Sequence, residues 1–187
     1  MYYMHEDAKE VYNQTTPLTK IFSAGGMNLY LGSAWAAENK SLLRSKGIKV
    51  RWPRLHRQSY RLNPDSDFVD VENTCANELV ENWPHSRADI IKLALRIVHL
   101  LETQGAVLLF CIQGANRSPF VAACALLMLT WACADDVVTY LKQVRCIVDV
   151  SSRRQNAPRG ILPYQVLAEV DQFLKQEVTK TKWWWRT

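Results

Sequence analysis

No two of the five cysteines, Cys75, Cys111, Cys124, Cys133 and Cys146, form a C-x-x-C pair, and none stands at a metal-ligand spacing from a histidine. A structural metal is therefore not expected, and no residue is assigned to one. The N-terminal stretch MYYMHEDAKEVYNQ is charged and has no apolar centre, so it does not read as a secretory leader. Without a leader, an odd cysteine count argues for reduced thiols and an intracellular protein, cytoplasmic in the first instance with the nucleus as an alternative. Apolar runs are short. The longest, Phe120 to Ala134, is 15 residues, below the roughly 20 that span a bilayer, and reads as a buried helix. Repeats and low-complexity segments are absent.

What is there suits one core. The 187 residues, 48% of them hydrophobic, can bury a single sizeable interior, and nothing in the length asks for a second domain. Net charge is +5, with basic residues spread over Lys40 to Arg61 and Arg145 to Arg159. These read equally as a solvated surface or as a face that attracts acidic or phosphorylated partners.

Strand and helix signals alternate along the chain. MNLYLGS reads as a strand, AWAAENKSLLRSKG as a short amphipathic helix ended by Gly47, and IKVRW as a strand stopped by Pro53. Between Arg54 and Pro84 only DFVDVE looks extended. Helical spacing of Ile90, Leu93, Ile97 and Leu101 predicts a helix with a cap at Ser86, and the all-apolar AVLLF that follows predicts a central strand covered on both faces. A buried helix running to about Cys133, a helix over Ala134 to Val148 with Asp135 and Asp136 in its first turn, and a last helix from Pro163 to Val178 complete the pattern. The expected fold is α/β, with a central, mostly parallel sheet flanked by helices.

The loop after AVLLF concentrates the chemistry. It runs from Cys111 to Arg117 at the carboxyl edge of the sheet, where α/β proteins place their sites. Ser118 and Pro119 read as the N-cap and first residue of the next helix. Backbone N–H groups of Ile112, Gln113, Gly114, Ala115 and Asn116, with the helix N-terminus, can form an anion nest. A thiol in that field is biased towards thiolate, which makes Cys111 a candidate nucleophile. Arg117 offers a planar fork that grips two oxygens of a tetrahedral dianion. Ser118 serves as the cap, or its hydroxyl bonds the sulfur and helps it leave. Cys124 and Cys133, on the apolar helix, read as inert core residues.

CIQGANRS resembles the C-x-x-G-x-x-R-[ST] signature of cysteine-based protein tyrosine phosphatases. LYLGSAWAAENKSLLRSKGI, VAACALLM and APRGILPYQVLAEVDQFL resemble the opening strand and helix, the helix behind the loop and the closing segment of the small, atypical dual-specificity branch. The similarity runs from about Leu29 to Leu174 and gives an N-terminal extension (1–26), a catalytic domain (27–178) and a C-terminal tail (179–187). It implies a phosphocysteine intermediate on Cys111, phosphate binding by the 112–116 amides and Arg117, and no cofactor. The implied substrates are proteins carrying phosphotyrosine, phosphoserine or phosphothreonine, with no nucleic-acid partner and no membrane span. Alternatives with the same loop are a phosphate-binding pseudophosphatase, an RNA 5′-triphosphate or phosphoinositide phosphatase, and a rhodanese-like sulfur transferase. The neutral side chains of Ile112, Gln113, Ala115 and Asn116 count against a highly phosphorylated lipid.

Two departures from the family stand out. Phe110 occupies the position before the nucleophile, where most members have histidine. The general acid, an aspartate usually about 30 residues upstream, has no counterpart at ANELVENWP, which offers only Glu78 and Glu81. Asp65, Asp67, Asp70 and Glu72 lie further back, with Asp70 or Glu72 preferred because DVEN follows the one credible strand there.

Overall fold

Gly25 (φ 55°) and Gly26 (φ 82°) turn the chain between β1 (Leu18–Ala24) and β2 (Met27–Ser33), the left-handed backbone that a two-residue hairpin requires. They belong to a computed structural model that describes residues 6–53, 69–70, 87–150 and 163–180. β3 (Val50–Pro53), β4 (Val69–Asp70) and β5 (Ala106–Cys111) run parallel to β2 and complete a five-stranded sheet in the order β1-β2-β5-β3-β4. The helices are α1 (Glu6–Thr15), α2 (Ala34–Glu38), α3 (Lys40–Ser45), α4 (Arg87–Gln104), α5 (Arg117–Thr130), α6 (Ala134–Val144) and α7 (Pro163–Lys180). The expected α/β fold, a mostly parallel sheet flanked by helices, is the one observed.

Both faces of β5 are covered, as its unbroken apolar run predicts. Val107 and Leu109 pack with α4, α5, α6 and α7, while Ala106, Leu108 and Phe110 pack with Tyr30 and with α2 and α3. Ten consecutive residues of α5, Ser118 to Leu127, are buried, so this helix is apolar all round because it is surrounded. No helix among the described residues is long and apolar enough to cross a membrane.

Several boundaries differ from expectation, each for a local reason. The helix expected over 34–47 is two helices broken at Asn39, whose side-chain oxygen accepts from Leu42 N–H (3.0 Å) and caps α3. Gly47, at φ 65°, ends the second as expected. α5 stops at Thr130 because Trp131 adopts the left-handed conformation (φ 57°), and the chain reaches Cys133 outside it. α6 stops at Val144 rather than Val148 because Arg145 is extended (φ −143°, ψ 91°). β1 lies within the segment read as an extension, yet it forms an edge of the same sheet. Of DFVDVE, only Val69–Asp70 falls in a described strand; Cys75 and Ser86 lie outside the described residues.

The basic residues are not all on the surface. Among the described residues Arg51 and Arg145 are the two largest fully buried side chains, with Arg51 donating to Ala37 O at 3.2 Å. A solvated face therefore does not describe either position.

Candidate active site

Cys111 is the last residue of β5, in register with Ser33 of β2 and buried. The period of the strand sends Cys111 to the same side as Val107 and Leu109, the side that carries α5. There its sulfur meets the first turn of α5, and the Ser118 hydroxyl donates to Sγ at 3.2 Å. α5 begins at Arg117, two residues earlier than expected, with Asn116 as N-cap. Ser118 is therefore not the cap, and Pro119 is the third helical residue. The Asn116 side chain does not cap either; its amide donates to Asp149 O at 2.8 Å.

Each carbonyl of residues 112–116 is taken by a protein donor. Ile112 O accepts from Ala34 N–H (3.1 Å), Ala115 O from Asp149 N–H (2.7 Å) and Asn116 O from Phe120 N–H (3.2 Å). Gln113 O accepts from Asn13 Nδ2 (3.0 Å) and Arg145 Nη2 (3.3 Å), and Gly114 O from Arg145 Nε (3.2 Å). In a planar trans peptide the N–H points opposite to the C=O. With these five carbonyls taken by protein donors, the N–H groups of residues 113–117 are left on the other side of their peptides, and the backbone of Gly114 and Ser118 bonds the Cys111 sulfur. Gly114 makes the curve possible. Its φ is 66°, and a Cβ there would run into the Gly32 carbonyl and meet Arg145 Nη2 at 3.0 Å.

Burial pushes the Cys111 thiol up, but the Ser118 hydroxyl, the Ser118 and Gly114 backbone groups and the Arg117 charge outweigh it, so the thiol lies below its ordinary value. Arg117 is half-buried at the rim. The structure thus brings Cys111, the 112–116 backbone, Arg117 and Ser118 together. The Ile112 side chain is exposed beside them.

Phe110 does not share this chemistry. It packs on the opposite face with Leu43, Ile48 and Leu108, where it fills core and bonds nothing. Asp70 is on the edge strand β4. It pairs with Arg51, which pairs with Leu108, so it lies two strands across and three residues back from Cys111. At roughly 4.8 Å per strand and 3.3 Å per residue this is about 14 Å between Cα atoms. Asp65, Asp67, Glu72, Glu78 and Glu81 lie outside the described residues.

The residues that sequence reasoning missed are Arg145 and Asn13. Arg145 was read as part of a basic stretch, yet it donates to Gly114 and Gln113 and stacks over the Tyr12 ring, 5.2 Å from its centroid. No local pattern marks either residue, because the partners are 132 positions apart.

No protein-family model matches the chain, and no curated protein matches its sequence. Solved structures do match. DUSP15 superposes with a TM-score of 0.64 at 19% identity, covering 88% of this chain and 93% of that one. PTPMT1 in complex with PI(5)P gives 0.60 at 11% identity, covering 87% and 99%. The human tyrosine phosphatase-like serine/threonine/tyrosine-interacting protein gives 0.56 at 16% identity, covering 87% and 97%. With superposition over most of both chains, the protein has the fold of the dual-specificity phosphatases.

Proposed function

We propose that the protein is a cysteine-dependent phosphatase that removes phosphate from phosphotyrosine and from phosphoserine or phosphothreonine in proteins. The observation that carries this reading is the outward pairing of all five carbonyls of residues 112–116, which leaves the loop N–H groups around the Cys111 sulfur. Such a nest holds three phosphate oxygens, and Arg117 reaches over two of them. The thiolate attacks phosphorus, forming an S–P bond as the P–O ester bond breaks and the substrate oxygen departs. Water then attacks the same phosphorus, the S–P bond breaks, and inorganic phosphate leaves as the thiolate returns. The Ser118 hydroxyl, already donating to Sγ, stabilises the departing sulfur. No step calls for a cofactor.

The loop's neutral side chains suit a singly phosphorylated protein side chain better than a lipid headgroup with several phosphates. The test is turnover of an aryl phosphate and of phosphotyrosine and phosphothreonine peptides by the wild type, Cys111→Ser and Arg117→Ala. Cys111→Ser is expected to abolish turnover and keep binding of inorganic phosphate. Arg117→Ala is expected to weaken both, with turnover down about 10²–10³-fold. Turnover retained in Cys111→Ser overturns the mechanism, and wild-type binding without turnover assigns the chain to phosphate binding alone.

A further inference from the structure

Asn13, on α1, is 8% exposed and meets the loop on the side of its carbonyls. Its side-chain oxygen accepts from Arg145 Nη2 (2.5 Å) and its amide donates to Gln113 O (3.0 Å). The two ends of the amide are not interchangeable here, because a guanidinium only donates and a carbonyl only accepts. Arg145 itself is fully buried. Its other donors go to Thr16 O (2.9 Å), Thr19 Oγ1 (3.1 Å), Gly114 O (3.2 Å) and Gln113 O (3.3 Å). All five acceptors are neutral oxygens, so among the described residues this buried cation has no carboxylate partner.

We propose that Asn13 is a positioning residue of the catalytic loop, acting on Cys111 through the Gln113–Gly114 peptide and through Arg145. The inference rests on the phosphatase reading for its purpose but not for its geometry. Asn13 and Arg145 together hold the Gln113 carbonyl outward. The N–H of that same peptide belongs to Gly114, and it is therefore the one turned inward, where it bonds the Cys111 sulfur. The second route is charge. Burial lowers the Arg145 pKa, while Tyr12, Cys111 and Cys146 favour its charged form. That attraction is reciprocal, so an Arg145 left without a carboxylate favours the thiolate and any phosphate in the loop. The asparagine amide meets both needs: it donates to Gln113 and accepts from Arg145 without cancelling the charge.

Asn13→Asp separates positioning from packing. It is nearly isosteric and gains an ion pair with Arg145, yet it loses the donor to Gln113 and neutralises the buried cation. The titratable groups about the loop are Arg117, Arg145, Cys146, Asp149 and Tyr12, and the variant keeps all of them. The measurement is site-resolved alkylation of Cys111 by iodoacetamide against pH, with and without inorganic phosphate, alongside thermal unfolding. Asn13→Asp is expected to melt at or above the wild-type temperature, to move the midpoint of the Cys111 profile upward, and to lower its alkylation rate at pH 6 about three- to tenfold, the range one lost hydrogen bond supplies. The phosphate needed for half-protection is expected to rise by a similar factor.

An unchanged profile and unchanged protection in a folded Asn13→Asp protein overturn the inference. Asn13→Ala, whose cavity a water can fill, is read the same way if the aspartate variant unfolds. Wild-type Cys111 that phosphate protects but that turns over no phosphoester defeats the phosphatase reading and leaves the positioning role standing.

Discussion

The Ser118 hydroxyl stands 3.2 Å from the Cys111 sulfur and donates to it, with both groups buried. Because Ser118 is the second residue of α5 and does not cap it, its hydroxyl is released from the helix end to serve the sulfur. A hydrogen bond to an anion in a buried site is stronger than a neutral one, by about a factor of two. The same bond acts twice in the proposed cycle, favouring thiolate before attack and again as the S–P bond breaks.

Ser118→Ala is therefore expected to slow the second step more than the first. Activated aryl phosphates would show a rapid burst of one equivalent followed by steady turnover about 10- to 100-fold below wild type, the range for a hydrogen bond to a charged group. Rapid-quench measurement of the phosphoenzyme checks this. A uniform loss without a burst would place the role of Ser118 in the first step alone.

The lowered Cys111 thiol links stability to pH. Between its folded value and the roughly 8.5 of an unfolded cysteine, the unfolded chain holds a proton that the folded protein has released. Stability therefore rises with pH across that window, is fully gained above the unfolded value, and is lost as pH falls through the folded one. Denaturant unfolding of wild type and Cys111→Ser at pH values from 5 to 9 is expected to diverge in this sense. Parallel pH curves would mean that the thiol is not perturbed.

Gly114→Ala is expected to cost more than an ordinary loop substitution. The methyl group meets the Gly32 carbonyl on β2 and Arg145 behind it, at a backbone φ of 66°. Backbone strain of this kind costs on the order of 1–3 kcal/mol, and relief requires the loop to open and its N–H groups to turn away. Loss of phosphate protection at Cys111 together with a lowered melting temperature is the expected outcome.

The loop itself was legible because strand, glycine, arginine and helix start are contiguous, so local chemistry determines the local shape. The strand Ala106–Cys111 was legible for a related reason, since only a doubly covered strand tolerates six buried residues in succession. Arg145 was not legible. A lone arginine after a helix is solvated unless distant groups bury it, and those groups, Asn13, Thr16 and Thr19, lie 126 or more positions away. The early end of α6 has the same origin, because the extended backbone at Arg145 leaves the helical path just where its side chain enters the back of the loop. Phe110 reads as a missing histidine in sequence, whereas in space it is a core residue of the α2–α3 face.

The last prediction concerns the proton that the leaving oxygen needs. In the first step a poor leaving group must be protonated as the P–O bond breaks, and a positioned carboxylic acid typically supplies about 10²–10⁴ in rate. A phenol with strongly withdrawing substituents hardly needs that proton, tyrosine needs it more, and a serine or threonine alkoxide needs it most. Asp70 sits two strands across and three residues back from Cys111 on β4, so Asp70→Asn is expected to leave the rate on every substrate within about twofold of wild type. If Glu72 supplies the acid, Glu72→Gln would lower phosphothreonine-peptide turnover by a factor within that range and spare activated aryl esters. A loss on phosphopeptides in Asp70→Asn would show that this aspartate reaches the leaving oxygen after all. Equal rates on activated and unactivated esters in the Glu72 variant would exclude it as the donor.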